Sequence, residues 1–321
     1  MSTHRRPLLR RAVLASGALA VLAALAACAR PPRPAEIEAA NPPRGAFVQS
    51  EGLRVHYVES GPVDAPAVVL IHGATGNLND MTFDLAPRLA DRFRVIAFDR
   101  PGLGYTERPE ARGWDPAVQA RVLRGAAEAL GVERPVLVGH SWGAAVAMAW
   151  AVQTPEAVAG VVAVSGATMP YDDGENGPWT HIVTSRLAAG IGVRVLKARV
   201  EDDGGRATLE RIFRPQEPPE GYLDHLQPEL LLRPESFRAN VEDIVRLDAA
   251  LARLAPRYDD LDVPVEVLHG TADRIVGPTI HAEPLAERLP RAELRLFEGV
   301  GHMLHHARPE AVVAAVERLA S

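Results

Sequence analysis

The sequence predicts an α/β fold: a mostly parallel sheet flanked by helices, with a helical cap inserted late in the chain. Three observations carry this. Short runs of apolar, largely β-branched residues recur along the body of the chain, with helical stretches between them. Most of these runs are apolar on both faces, as in strands covered by helices on either side. One interval, about 168–258, breaks the rhythm with helical segments and no strand-like run.

The first 45 residues stand apart from that pattern. Arg5, Arg6, Arg10 and Arg11 precede Ala12 to Ala27, a run with no charge. A positive segment followed by an apolar one reads as a secretory signal over residues 1–27, outside the fold. It ends in Leu25-Ala26-Ala27-Cys28, and Cys28 is the only cysteine, so the chain has no internal disulfide. This segment resembles the lipobox of bacterial lipoproteins. The resemblance implies cleavage before Cys28, a lipid on that residue, and export to the cell envelope with membrane attachment through the lipid. An uncleaved anchor and a cleaved soluble form are the alternatives, since about 18 apolar residues just suffice to span a bilayer. Arg5-Arg6 also resembles a twin-arginine export signal. Residues 28–45, with Pro31-Pro32, Pro34 and Pro42-Pro43, read as an extended, proline-stiffened tether.

The body runs over 46–321. Phe47-Val48-Gln49 and Arg54 to Val58, with Glu51-Gly52 between them, predict a strand pair with a turn. Strands follow at Val68–Ile71, Arg94–Phe98, Val136–Val138, Val161–Val164, Val265–Leu268 and Leu294–Phe297. Helices are expected at about 79–90, 116–130, 142–153, 278–288 and 309–320. A structureless loop as long as 168–258 is implausible in a compact domain, so that interval reads as the cap. With 47% hydrophobic residues the chain can bury a full core, and a net charge of −6 with a pI near 6.0 gives no basic footprint for nucleic acid.

The chemistry centres on Gly139-His140-Ser141-Trp142-Gly143, seated between a buried strand and a helix. A sharp strand-to-helix turn lifts the serine hydroxyl above the sheet edge, and the glycines permit the crowded backbone. The helix beginning there points free N–H groups at the reacting centre.

With Ile71-His72-Gly73-Ala74 after the third strand, Asp99-Arg100-Pro101-Gly102-Leu103-Gly104 after the fourth and Gly301-His302 after the last, the body resembles the α/β-hydrolase superfamily from residue 46 to the end. The resemblance implies Ser141 as nucleophile, His302 as general base and Asp273 as the acid orienting it, in the superfamily's chain order. It also implies an oxyanion hole from the backbone N–H groups of Ala74 and Trp142. His72 is expected to shape that loop by hydrogen bonding, and Asp99 to belong to a structural turn. His140 is expected to point away from the hydroxyl, and His225 and His281 to be solvated. A metal at His302, His305 and His306 is weighed and set aside, because no fourth ligand joins them and the serine turn would go unexplained.

The expected activity is acyl-enzyme hydrolysis of a small-molecule carboxylic ester or related acyl substrate, with no cofactor. Dehalogenases and epoxide hydrolases of this superfamily attack with an aspartate where this chain has Ser141. Cofactor-free perhydrolase or carbon–carbon bond chemistry on the same triad is the alternative, and a non-catalytic ligand-binding surface lipoprotein the second.

Overall fold

The computed structural model describes residues 33–171, 180–203 and 205–321; Cys28 and the expected cleavage site lie outside them. Eight strands form one sheet: β1 (Ala46–Ser50), β2 (Leu53–Ser60), β3 (Ala67–Ile71), β4 (Arg94–Phe98), β5 (Val136–His140), β6 (Gly160–Val164), β7 (Val265–Gly270) and β8 (Ala292–Phe297). Their order across the sheet is β1-β2-β4-β3-β5-β6-β7-β8. The β1–β2 and β2–β4 pairs are antiparallel and all the others parallel. Glu51 and Gly52 both take positive φ, 53° and 76°, which is the backbone a tight two-residue hairpin requires.

Side-chain alternation splits each central strand between two cores. Val69, Ile71, Leu137 and Val161 face one core. Val68, Leu70, Val138 and Val162 face the other. The strands are apolar throughout because neither face meets water. Described helices before β6 are α1 (Pro34–Ala40), α2 (Asn79–Thr82), α3 (Leu85–Leu89), α4 (Pro116–Ala129) and α5 (Trp142–Gln153). Between β6 and β7 come α6 (Thr180–Val183), α7 (Arg186–Asp203), α8 (Arg206–Phe213), α9 (Tyr222–Leu226) and α10 (Pro234–Leu254), with no strand among the described residues there. The chain closes with α11 (Pro278–Arg288), α12 (Leu304–Ala307) and α13 (Pro309–Ala320). From Trp142 to Val152 every residue of α5 is buried, so the helix sits inside the first core rather than on it.

Two local expectations are corrected. The stretch 79–90 is two short helices, not one, with Asp84 at φ −135° between them. Pro87 has no N–H to offer the carbonyl of Phe83 and its ring crowds that carbonyl, so one helix cannot run through. Residues 34–40 of the expected tether are helical rather than extended. Pro34 starts the helix with its φ already set, and Ala-Glu-Ile-Glu-Ala-Ala continues it with strong helix formers. The Arg233 guanidinium donates to Glu38 at 2.9 Å and ties α1 to the body. Among the described residues, no helix is long and apolar enough to cross a membrane.

Candidate active site

Ser141 lies between β5 and α5 at φ 52°, ψ −118°, a conformation that costs a residue with a side chain of order 1–3 kcal/mol. Its neighbours explain how the strain is held. The N–H of Ser141 donates to Val164 O at 3.0 Å, and the N–H of Ala167 donates to Ser141 O at 3.1 Å. Both glycines of the turn are obligatory for space. A Cβ on Gly139 would stand 2.5 Å from Gly143 O, and one on Gly143 would stand 2.2 Å from Ile71 O.

Ser141, Trp142, Ala74 and His302 line one cavity of about 510 Å³. The His302 Nδ1–H donates to Asp273 Oδ2 at 2.8 Å, which leaves Nε2 as the bare, basic nitrogen. Ser141 Oγ makes no hydrogen bond to His302 in this structure; such contacts commonly tighten only with substrate in place. Asp273 sits behind the imidazole. Its Oδ1 accepts the N–H groups of Ile275 and Val276, each at 2.9 Å. Burial alone would raise its pKa, but hydrogen bonds from His269 and His302 hold it well below the usual carboxylate range.

The loop carrying Ala74 is braced from within. His72 is fully buried; its Nδ1–H donates to Gly73 O at 2.8 Å and its Nε2 accepts the Arg100 N–H at 3.0 Å. Burial, reinforced by the Arg100 charge, lowers its pKa to about 4, so it is neutral and serves as a strut. Arg100, also fully buried, donates to His72 O at 3.0 Å, Gly73 O at 3.2 Å, Gln119 at 3.0 Å and Asp243 at 2.8 Å. The first two of those hydrogen bonds fix the carbonyls of the loop that carries Ala74. The same guanidinium stacks 4.1 Å over the Trp142 ring. From α10, Asn240 accepts the Thr75 N–H at 2.6 Å, and Asp243 O accepts Trp142 Nε1–H at 3.1 Å. The N–H of Trp142 opens α5 and so lacks an intrahelical partner.

Several of these residues were not legible as site residues. Asn240 and Asp243 lie in the helix-only interval, about a hundred positions from Trp142, with no local motif to mark them. His269 closes β7; its Nε2–H donates to Val276 O at 2.7 Å and faces Asp273 Oδ2 at 3.2 Å. His281 is buried rather than solvated, and burial together with His269 lowers its pKa to about 4. His225 is half-buried, with Nε2 3.1 Å from Thr82 Oγ1. Asp99 is structural, as expected: it accepts the N–H groups of Leu78 and Tyr105, each at 2.8 Å.

The three C-terminal histidines do not converge. His302 turns to Asp273, whereas His305 and His306 turn to Asp80, whose Oδ1 also accepts the Tyr222 hydroxyl at 2.7 Å. Among the described residues Asp80, His305 and His306 are the one group of three or more with ligand atoms within 4.8 Å of each other. A metal there would want each imidazole oriented by an outer hydrogen bond, but the Nδ1 atoms of His305 and His306 have no partner. The group reads as a hydrogen-bonded carboxylate.

Residues 68–315 match the Alpha/beta hydrolase family. The chain belongs to that family. Among curated relatives, a 2-hydroxy-6-oxononadienedioate/2-hydroxy-6-oxononatrienedioate hydrolase of Burkholderia vietnamiensis is 30% identical over 78% of this chain and 85% of its own length. The fold is shared with a 2-hydroxy-6-oxo-6-phenylhexa-2,4-dienoate hydrolase from Rhodococcus sp. strain RHA1 (TM-score 0.68, 23% identity, 85% of this chain and 96% of that one). It is shared equally with an esterase from Exiguobacterium antarcticum (TM-score 0.67, 22% identity, 87% of this chain and 100% of that one). One fold is thus shared by a dienoate hydrolase and an esterase, so the fold alone does not name a substrate.

Proposed function

We propose that the protein is a serine hydrolase of largely apolar, non-anionic carboxylic esters, working through an acyl-enzyme on Ser141. The observation that carries this is the strained serine opening α5 in the same cavity as an imidazole whose Nδ1–H is committed to a buried carboxylate. Ser141 Oγ attacks the ester carbonyl as His302 Nε2 takes its proton. Asp273 holds the tautomer and stabilises the imidazolium. The N–H groups of Ala74 and Trp142 receive the oxyanion, each donor contributing roughly 100-fold or more in rate. His302 then protonates the leaving alcohol, and water repeats the sequence to release the acid.

The cavity favours an ester over the carbon–carbon bond reading suggested by the Burkholderia relative, whose name gives a dienedioate substrate. Its walls include many leucines and isoleucines, among them Leu209, Leu231, Ile244 and Leu247, and among the described lining residues there is no Arg or Lys. The one formal charge there is Asp80, a carboxylate that opposes an anionic substrate. Helices α7 to α10 supply much of this wall, consistent with a cap spanning about 168–258. Hydrolysis of a p-nitrophenyl alkanoate that falls at least 1000-fold in Ser141→Ala is the expected result. Equal activity in both proteins, or turnover of dienoates but of no ester, overturns the reading.

The sequence-based reading of the N-terminus stands as a second proposal: cleavage before Cys28 and lipidation of its thiol. Mass analysis of the N-terminal peptide from membrane extracts should show the acylated residue, and Cys28→Ala should move the protein to the soluble fraction.

A further inference from the structure

Among the described lining residues Asp80 is the one acid or base with a formal charge in a largely apolar cavity, and the hydrolytic mechanism does not use it. All its donors converge on a single oxygen. Oδ1 accepts the Tyr222 hydroxyl at 2.7 Å, His306 Nε2–H at 2.9 Å and His305 Nε2–H at 3.1 Å. Oδ2 accepts nothing from the described residues. Its nearest candidate, His140 Nδ1, is 3.9 Å away. That nitrogen cannot help, because the proton of His140 sits on Nε2, which donates to His302 O at 3.1 Å.

The Asp80 side chain keeps 5% of its surface accessible, and the residue borders the cavity. Burial works against its charge, yet the hydrogen bonds and attraction of His305 and His306 keep its pKa well below the usual range. A carboxylate at the border of a largely apolar cavity, with one oxygen given no donor by the described residues, calls for a donor from whatever fills that space. The ring of His140 stands 4.9 Å from that of His302, so Asp80 belongs to the neighbourhood of the reacting centre.

We propose that Asp80 Oδ2 is a recognition point for a hydrogen-bond donor, a hydroxyl or an ammonium, carried by an otherwise apolar ester substrate. The proposal rests on the hydrolytic reading above and adds a polar requirement to it. Asp80 touches the substrate away from the scissile bond and sets specificity, while Tyr222, His305 and His306 hold it in place.

The test compares p-nitrophenyl esters of straight-chain acids ending in methyl, hydroxyl, ammonium or carboxylate, over a graded series of chain lengths. In the wild-type enzyme one length should show kcat/KM at least about 10-fold higher for the hydroxyl or ammonium ester than for the methyl one, with the matching carboxylate disfavoured by a similar factor. The hydroxyl and ammonium arms tell which donor the site takes. In Asp80→Asn the ammonium preference should fall to near parity. Because each comparison is a ratio within one protein sample, a reduced folded fraction cancels. If Asp80→Asn does not fold, the wild-type series decides alone. Parity of methyl and donor esters at every length, or an ammonium preference that survives in Asp80→Asn, overturns the proposal. Failure of every ester in the series to react would instead overturn the hydrolytic reading.

Discussion

Arg100 offers the sharpest test of how the loop, the serine turn and α10 are held together. Arg100→Met keeps much of the apolar stem but removes four hydrogen bonds, to Gln119, Asp243, His72 O and Gly73 O. Asp243 has no exposed surface and would retain only Arg108 at 3.0 Å as a charged partner. Removing one member of a buried ion pair costs about 3–5 kcal/mol, mostly through the charge left behind. Against a total stability of roughly 5–15 kcal/mol, that is a large fraction. At roughly 2–4 °C per kcal/mol, the melting temperature should fall by about 6–20 °C. The loss should be partly reversible: adding Asp243→Asn to Arg100→Met removes the stranded charge and should recover on the order of 1–3 kcal/mol. Ester hydrolysis measured well below the melting temperature should still be reduced at least 10-fold, since the Ala74 peptide loses its brace. A melting temperature within 2 °C of wild type and unchanged kcat/KM would refute the idea that this guanidinium organises the site.

Asp273→Asn should fold, because an amide oxygen can still accept the N–H groups of Ile275 and Val276, yet kcat should drop by roughly 10⁴ as the imidazole loses its tautomer; a drop under 10-fold in steady-state assays would contradict that role. Gly143→Ala drives a Cβ to within 2.2 Å of Ile71 O and 2.6 Å of His72 O, and should lose at least 100-fold in kcat/KM or fail to accumulate. Gly190→Ala in α7, with nothing within 4 Å of the added atom, should be stabilised by roughly 0.5–1 kcal/mol in the same denaturation assay. Stability should also fall in acid. His72 and His281 titrate near 6.5 when unfolded but at about 4 when folded, so between those values the unfolded chain binds more protons. Their contribution is complete above pH 6.5 and declines toward pH 4, by about 3 kcal/mol for His72 alone. A melting temperature that is flat or rises from pH 7 to pH 4.5 would contradict this.

Much of the fold was legible because it rests on local signals. Runs such as Val68–Ile71 and Val161–Val164 are apolar at every position, which only strands buried on both faces require. The serine turn and the loops bearing Ala74, Asp273 and His302 announce themselves through glycines at fixed places. What was not legible depends on contacts between distant segments. Arg100 sits in a recognisable turn, but nothing local says that its guanidinium reaches two loop carbonyls and an acid from α10. Asp80 looks like an ordinary helix-start aspartate until the fold brings Tyr222, His305 and His306 to it. The helix at 34–40 was hidden for the opposite reason: its flanking prolines suggested an extended chain, while Pro34 at the first helical position favours the helix it begins.

The mechanism stands or falls on covalent acylation of Ser141 with His302 as its base. Treating the purified protein with a fluorophosphonate and mapping the adduct by peptide mass spectrometry measures this directly. One phosphonyl group should appear on the peptide containing Ser141, quickly in wild type, at least 100-fold more slowly in His302→Ala, and not at all in Ser141→Ala. Ester hydrolysis by a protein that takes no label, or label that maps to another residue, would contradict it.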